Sequence, residues 1–301
     1  MPPGKSKIIA VRSTKAFDSA GKPQAAVVTD LLRTGLQLLG GIADAAAALA
    51  AYVQPQQTVG LKVNCLGKRV AVTQPLLTES LVALLQQAGV SGDKITVWDR
   101  TTDELKSAGY TANMFKSGPR CLGTDAVGVG YSDDLYPIGS GGSLLSTILL
   151  GVDVNINLPV LKDHSLAGLA GGMKNYYGAL HNPNKYHDNR CDPHVADVNA
   201  LPEIRRKNKL TIMDCLLVQY HGGPAYNPGF VARHGGLILG ADPVAVDFVA
   251  LAILEKIRAA NGKKPLEREG RYPTWLATAA SEKYALGNAS WEKIDLVEKL
   301  I

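Results

Sequence analysis

Imidazole and amine chemistry is concentrated in one stretch of this 301-residue chain. His164 and Lys174 are joined by Ser-Leu-Ala-Gly-Leu-Ala-Gly-Gly-Met, a link with so little side-chain bulk that two backbones, or a backbone and a ligand, can approach closely. All six histidines (His164, His181, His187, His194, His221, His234) fall between positions 164 and 234. Imidazole exchanges protons near neutral pH and ligates metals, so the clustering predicts a site. The plain alternative is a glycine-rich helix packed on a sheet, with Lys174 in water. The link is not a phosphate-binding P-loop: Lys174 does not follow a glycine directly, and Asn175 stands where that loop needs Ser or Thr.

Further donors follow. His187-x3-Cys191-x2-His194, with His181 just upstream, offers imidazole and thiolate ligands suited to zinc, nickel or copper. Its alternative is a surface loop whose histidines cap backbone groups. His221, before Gly222-Gly223-Pro224, reads as an acid/base or supporting group near a ligand, or as an exposed histidine in a turn. Asp247 reads as a buried partner for a histidine or lysine, against the commoner solvent-facing carboxylate. Cys65, beside Asn64, reads as buried and inert. The four cysteines are dispersed without a C-x-x-C pair, which excludes an iron–sulfur cluster held by a local motif and a disulfide-dense scaffold, and leaves room for one disulfide.

The elements that must position these residues alternate strand and helix. Strands are predicted at 8–11, 58–63, 94–98, around 124–131, and at 154–158, 210–213 and 237–239. Helices are predicted through 28–39, 44–53, 75–88, 144–150, 243–258 (capped by Asp242) and 275–284. Such alternation gives right-handed crossovers in a Rossmann-like α/β fold with a mostly parallel sheet flanked by helices. Three polar sets fall just past predicted strand ends: Asn64-Cys65, Asp99-Arg100 and Lys162-Asp163-His164. Loops converge beyond the carboxyl ends of parallel strands, so the three sets are expected to line one cleft. The chain is expected to be a single α/β domain over 1–301, or two lobes of about 1–150 and 151–301.

At 46% hydrophobic and 20% charged residues, the composition is that of an ordinary soluble globular protein. The net charge of +5 is spread out, and the short basic runs carry no interleaved aromatics. That argues against nucleic acid, and it is compatible with anionic substrates or a phosphate-bearing cofactor. No apolar stretch is long enough to span a bilayer, and Met1-Pro-Pro-Gly runs straight towards a predicted strand without a signal peptide. The oligomeric state is not legible.

Several motifs together resemble the domain-of-unknown-function 362 family: Leu61-Lys62-Val63-Asn64-Cys65-Leu66-Gly67, Val97-Trp98-Asp99-Arg100 and Leu158-Pro159-Val160-Leu161-Lys162-Asp163-His164. Lys174-Asn175-Tyr176-Tyr177-Gly178, Tyr186-His187, His221-Gly222-Gly223-Pro224 and Asp242-Pro243-Val244-Ala245-Val246-Asp247 add to it. The resemblance spans nearly the whole chain. Many members carry twin-arginine export signals, which implies an extracytoplasmic protein, with a cytoplasmic one as the alternative. Others append a ferredoxin-like cluster domain that this sequence lacks.

His164-x2-Ala167-Gly168-x2-Gly171-Gly172-x-Lys174 is also similar, at the same spacing, to a motif of the nickel-dependent lactate racemase family. That resemblance implies a nickel-pincer nucleotide tethered to Lys174, His164 as an acid/base, and His187 or His181 as the nickel ligand. It departs where those racemases place a second catalytic histidine, since this chain has Asp99-Arg100-Thr101-Thr102 there. The expectation is therefore an enzyme with a metal-dependent or lysine-tethered cofactor site doing racemase- or isomerase-like acid/base chemistry on a small anionic substrate. His164, Asp99, Arg100 and His221 would be catalytic, and Lys174, Asn175, Gly171, Gly172 and Asn64 would bind the cofactor. A divalent metal, nickel or zinc, would sit on His187, His181, Cys191 and His194. The alternative is a non-catalytic metal- or ligand-binding protein.

Overall fold

Residues 59–62, 95–99 and 154–157 are buried at every position, as strands must be when helices cover both faces of their sheet. The computed structural model describes residues 4–67, 70–115 and 117–301. Its strands are β1 (Ser6–Arg12), β2 (Val59–Lys62), β3 (Ile95–Asp99), β4 (Arg120–Gly123), β5 (Tyr136–Ile138), β6 (Gly141–Ser143), β7 (Val154–Asn157), β8 (Val160–His164), β9 (Gly168–Ala170), β10 (Asn208–Gln219), β11 (Val231–Gly240) and β12 (Ile294–Leu300). β5 and β6 form a separate hairpin. The others make one sheet ordered β12-β1-β11-β10-β7-β2-β3-β4, with β8 paired to β10 and β9 to β8. Within it only the β1–β11, β10–β11 and β8–β9 pairings are antiparallel. The expected α/β class with a mostly parallel sheet is the observed one, and strands from both halves of the chain share the sheet.

Helices Ala25–Gly40, Ala45–Leu49 and Pro75–Gln87 bury their apolar stripes on one face of the sheet. Helices His194–Ala200, Pro243–Ala260 and Trp275–Ala280 pack on the other. The local signals act as their chemistry dictates. Asp242 accepts the N–H of Ala245 at 2.9 Å, and Pro243 opens the helix where no N–H is needed. Among the described residues, no helix is long and apolar enough to cross a membrane.

One break in the sheet matters most. Leu158 still donates its N–H to Lys62 O at 2.8 Å, but Pro159 has no N–H to continue the ladder. Beyond it β8 pairs with β10 rather than β2. Chain from the segment after β2 enters the parting: Thr73 Oγ1 donates to Leu158 O, and Gln74 N donates to the buried Asp214 carboxylate at 2.8 Å. A cleft opens between the ends of β2 and β8.

Three readings are corrected, and one strand carried no signal. The His164–Lys174 link is not one helix: it turns back through β9 before the short helix Gly172–Asn175, because Gly168 adopts a φ of +73° that reverses the chain. The strands expected near 124–131 lie instead at β4, β5 and β6. β10 and β11 run far longer than their apolar cores, since β10 carries a register shift between Cys215 and Leu217 that hides its alternation. Finally, β12, too mixed in polarity to read, pairs in parallel with β1 at the sheet edge.

The end of β8 is held by a buried ion network. Asp163 accepts from Arg271 Nη1 at 2.7 Å and lies 3.5 Å from Arg258 Nη1. Fully buried Arg258 also bonds Tyr220 O, Lys264 O and Glu269. Breaking such a set by removing one partner leaves charges and carbonyls stranded. Arg258→Ala is therefore expected to cost about 3–5 kcal/mol. Urea denaturation checks it; a shift under about 1 kcal/mol would show the network to be slack.

Candidate functional site

The cleft at the parting of β2 and β8 is a cavity of about 220 Å³. Lys62, Asp99, Lys162 and His164, from the ends of β2, β3 and β8, line it. Asn64, Arg100, Glu104, Gly171, Lys174, Asn175, Tyr177 and His187 complete most of its wall. The three polar sets expected past the strand ends do converge there.

Three lysines face one cavity from three elements. Lys62, 1% exposed, donates to Asp99 Oδ1 at 2.7 Å and Val63 O at 2.7 Å, with Asn175 Oδ1 at 3.4 Å. Asp99 is held in turn by the N–H groups of Cys65 (2.7 Å) and Arg100 (2.8 Å). Lys162, equally buried, has among the described residues only neutral partners, Asn64 Oδ1 at 2.8 Å and Ala71 O at 3.1 Å. Lys174 reaches His187 Nε2 at 3.0 Å and lies 4.2 Å from the Tyr177 ring centre. Burial pulls both Lys162 and Lys174 down to about 8. Arg100 is half-buried and paired with Glu104 one helical turn on.

Hydrogen bonds fix the two imidazoles in opposite tautomers. His164 Nδ1 accepts the backbone N–H groups of Leu166 and Ala167, both at 3.2 Å, so its proton resides on Nε2. His187 Nδ1 faces the carbonyls of Pro183 (3.1 Å) and Asn184 (3.3 Å) and must carry the proton. Its Nε2 lone pair is then free to accept from Lys174. The rings stack 5.6 Å apart. Burial first, then the charge of Lys174, pulls both imidazoles below their ordinary range, His164 furthest, so both stay neutral.

The supporting groups are backbone and amide. Asp247, fully buried, accepts from Gly172 N at 2.6 Å and Met173 N at 2.9 Å, anchoring the helix that carries Lys174. Its partners are thus backbone N–H groups, not the expected histidine or lysine. A Cβ on Gly171 would sit 2.5 Å from that carboxylate, and one on Gly178 2.9 Å from Lys62 Nζ, so both positions need bare backbone. Asn175 ties the lysine helix to β2 and β7, donating to Lys62 O and Asn157 Oδ1 and accepting from Asn64.

Other expected residues lie elsewhere. His221 is not part of the cavity wall; it packs edge-on against Phe230, and the close approach its glycines permit is to Asp163 O, 1.9 Å from where a Gly223 Cβ would be. His181 is exposed and meets Tyr131 edge-on, while His194 meets Tyr186 and lies 3.7 Å from Asp197. Cys191 is buried in a left-handed turn. Among the described residues no three His, Cys, Asp or Glu side chains converge as a metal centre, so the four proposed ligands are not brought together, and all four cysteines are unpaired. Reading the sequence missed Lys62, Tyr177 and Glu104 as wall residues, whereas Lys162 was among those expected there. For Lys62 the signal was available: a charge closing an otherwise apolar strand run.

Two ammonium groups buried without a carboxylate carry a stability penalty. Their folded values near 8 lie below the unfolded 10.5, so below pH 8 both states bind the proton and the penalty is fully present. Between 8 and 10.5 the unfolded chain binds more protons, and stability rises with pH. Lys174→Met is expected to stabilise the fold at pH 7 by about 1–3 kcal/mol, with the gain shrinking over that window. Denaturant midpoints from pH 7 to 10.5 measure it; a destabilised variant would overturn the assignment of a strained amine.

Comparison with known proteins places this geometry. A thylakoid-associated protein of Synechocystis sp. is 27% identical over 240 residues, 74% of this chain and 69% of that one. Two solved structures are similar at lower levels. One, a structural-genomics protein from Thermotoga maritima, is 12% identical with a TM-score of 0.43 over 80% of this chain. The other, the lactate racemase apoprotein from Thermoanaerobacterium thermosaccharolyticum, is 10% identical with a TM-score of 0.39 over 81%. The chain spans 60% and 56% of those two. Residues 59–252, which contain β2, β3, β8, the lysine helix and Asp247, match a family described only as a domain of unknown function, DUF362, and the chain belongs to it.

Proposed function

We propose that this protein is an acid/base enzyme, isomerase- or racemase-like, acting on a small organic acid. The observation that carries the reading is the buried contact of Lys174 Nζ with His187 Nε2, 3.0 Å, beside the stacked ring of His164 in a cavity rich in ammonium groups. A perturbed amine, a neutral imidazole pair and an excess of positive charge in one cleft are what proton removal next to a carboxylate requires.

At pH 7 about a tenth of an amine with a value near 8 is neutral and able to accept a proton. That amine takes the proton from the carbon beside the substrate's carboxylate, and the electron pair of the broken C–H bond moves onto the carboxylate oxygens. Lys162 and the Nε2–H of His164 stabilise that charge. A neutral imidazole locked as a donor suits this, because a developing oxyanion takes a hydrogen bond from it without taking its proton. His187 Nε2 accepts from the new ammonium on Lys174. Return of the proton restores the amine, and return to the opposite face of the flattened carbon gives the isomer. Arg100 positions a carboxylate at the half-buried side of the cavity.

The lysine-tethered nickel group implied by the motif resemblance is compatible with the donor chemistry here. Lys174 would hold it and His187 Nε2 would ligate the metal, with the Nδ1–H bonds to Pro183 and Asn184 orienting the ring. When bound, the group would supply a metal centre beside His164, and Lys174, its amine taken up by the tether, would no longer be the base. Non-catalytic binding of an organic acid is the rival reading, favoured by the neutral state in which His164 is held.

A panel of 2-hydroxy acids, incubated in D₂O with protein from its native host, tests the reading by loss of the signal of the proton on the carbon beside the carboxylate in NMR. Exchange is expected with wild type and, at least about 100-fold slower, with Lys174→Met and His164→Phe. Intact mass reports any adduct on Lys174. Acids that bind without exchange, with the same Kd in Lys174→Met, would leave only the binder.

A further inference from the structure

We infer that the ligand of this cavity is a dianion: a small acid carrying two negative charges, and not a monocarboxylate. The inference rests on the site assignment above but on charge pairing, not on catalysis. Among the described residues the wall carries four cations (Lys62, Arg100, Lys162, Lys174) and two carboxylates (Asp99, Glu104). Both carboxylates are committed, Asp99 to Lys62 at 2.7 Å and Glu104 to Arg100. Lys162 and Lys174 are left with uncharged partners: an amide oxygen, a backbone carbonyl and an imidazole nitrogen. The two histidines that face them can carry no negative charge, so they cancel nothing.

A buried ammonium without a counter-charge is strongly disfavoured, and a chain that keeps two in one cavity holds an excess of two positive charges for a ligand to neutralise. A monoanion would leave one of them stranded. The hydrogen-bonding sense agrees. Asn64 Oδ1, Asn175 Oδ1, Asp99 and Glu104 already accept hydrogen bonds within the protein. The donors left to meet a ligand are an N–H of Lys162, those of Lys174 not given to His187, the Nε2–H of His164 and the rest of the Arg100 guanidinium. Lys162 and His164 stand two residues apart on β8 and so on one face of that strand, while Lys174 comes from the helix beyond β9. The cations therefore enter from two elements around the His164 donor. That arrangement suits either two carboxylates flanking a hydroxyl or keto group or one doubly charged phosphate ester.

Isothermal titration of the full chain at pH 7 tests this with succinate and malate against butyrate and lactate, and with glycerol phosphate as the third arm. Dianions are expected to bind at least about 10-fold tighter than monoanions of matched length. Malate above glycerol phosphate assigns two separate carboxylates; the reverse order assigns one phosphate head. In Lys162→Gln, which keeps a donor for Asn64 and Ala71 but no charge, the preference should fall to about 2-fold, and Lys174→Met should act likewise. Equal affinity for the two classes in the wild type overturns the inference, as does a preference unchanged in both variants. Dianion preference without deuterium exchange overturns only the catalytic reading, and exchange of monoanions without preference overturns only this one.

Discussion

Everything in this site follows from burying amines that the protein itself leaves unneutralised. Lys162 and Lys174 sit in a cavity where water is scarce, with amide, carbonyl and imidazole partners but no carboxylate among the described residues. Desolvation lowers their affinity for protons, and burial of the two histidines beside them lowers theirs as well. The fold tolerates the strain because its sheet is covered on both faces by large apolar clusters.

The cavity exists because the sheet comes apart at one peptide. Pro159 ends the pairing of β7 with β2, and β8 follows β10. A continuous ladder would have left no space between Lys62 and Lys162. The split is stabilised by groups that never reach the ligand. Asp214 receives the N–H of Gln74, Thr73 caps Leu158, and the Asp163–Arg271–Glu269–Arg258 network pins the far end of β8. Lys174 is secured in the same manner, through its helix, by the Asp247 carboxylate and the Asn175 amide. Stability is concentrated around the cleft so that the cleft itself can be unfavourable.

How much of this was legible depended on the range of the signal. Helix punctuation at Pro75, Asp242 and Pro243 is local chemistry and reads directly. The convergence of Asn64, Asp99 and His164 followed from a rule of parallel sheets, since each set ends a strand. His187 and Lys174, thirteen residues apart, could be named as reactive types but not as a pair, because their contact depends on the 3₁₀ turns between them. His221, His181 and His194 illustrate the opposite failure: the right residue type at a suggestive spacing, used for packing against Phe230, Tyr131 and Tyr186. Spacing along the chain does not say which way a ring turns.

By itself the sequence determined the α/β alternation, the strand ends that carry polar residues, and the small-residue link that brings a histidine and a lysine close. Those properties come from backbone sterics and from periodicity within a dozen residues. Only the tertiary structure decided which charges find partners. Lys62 and Lys162 each follow buried apolar residues in a strand, yet one meets Asp99 and the other meets none. That difference arises from neighbours 37 and 98 positions away, brought in by sheet order and by the break at Pro159. Long-range pairing sets the electrostatics, and the electrostatics set what the cavity can hold.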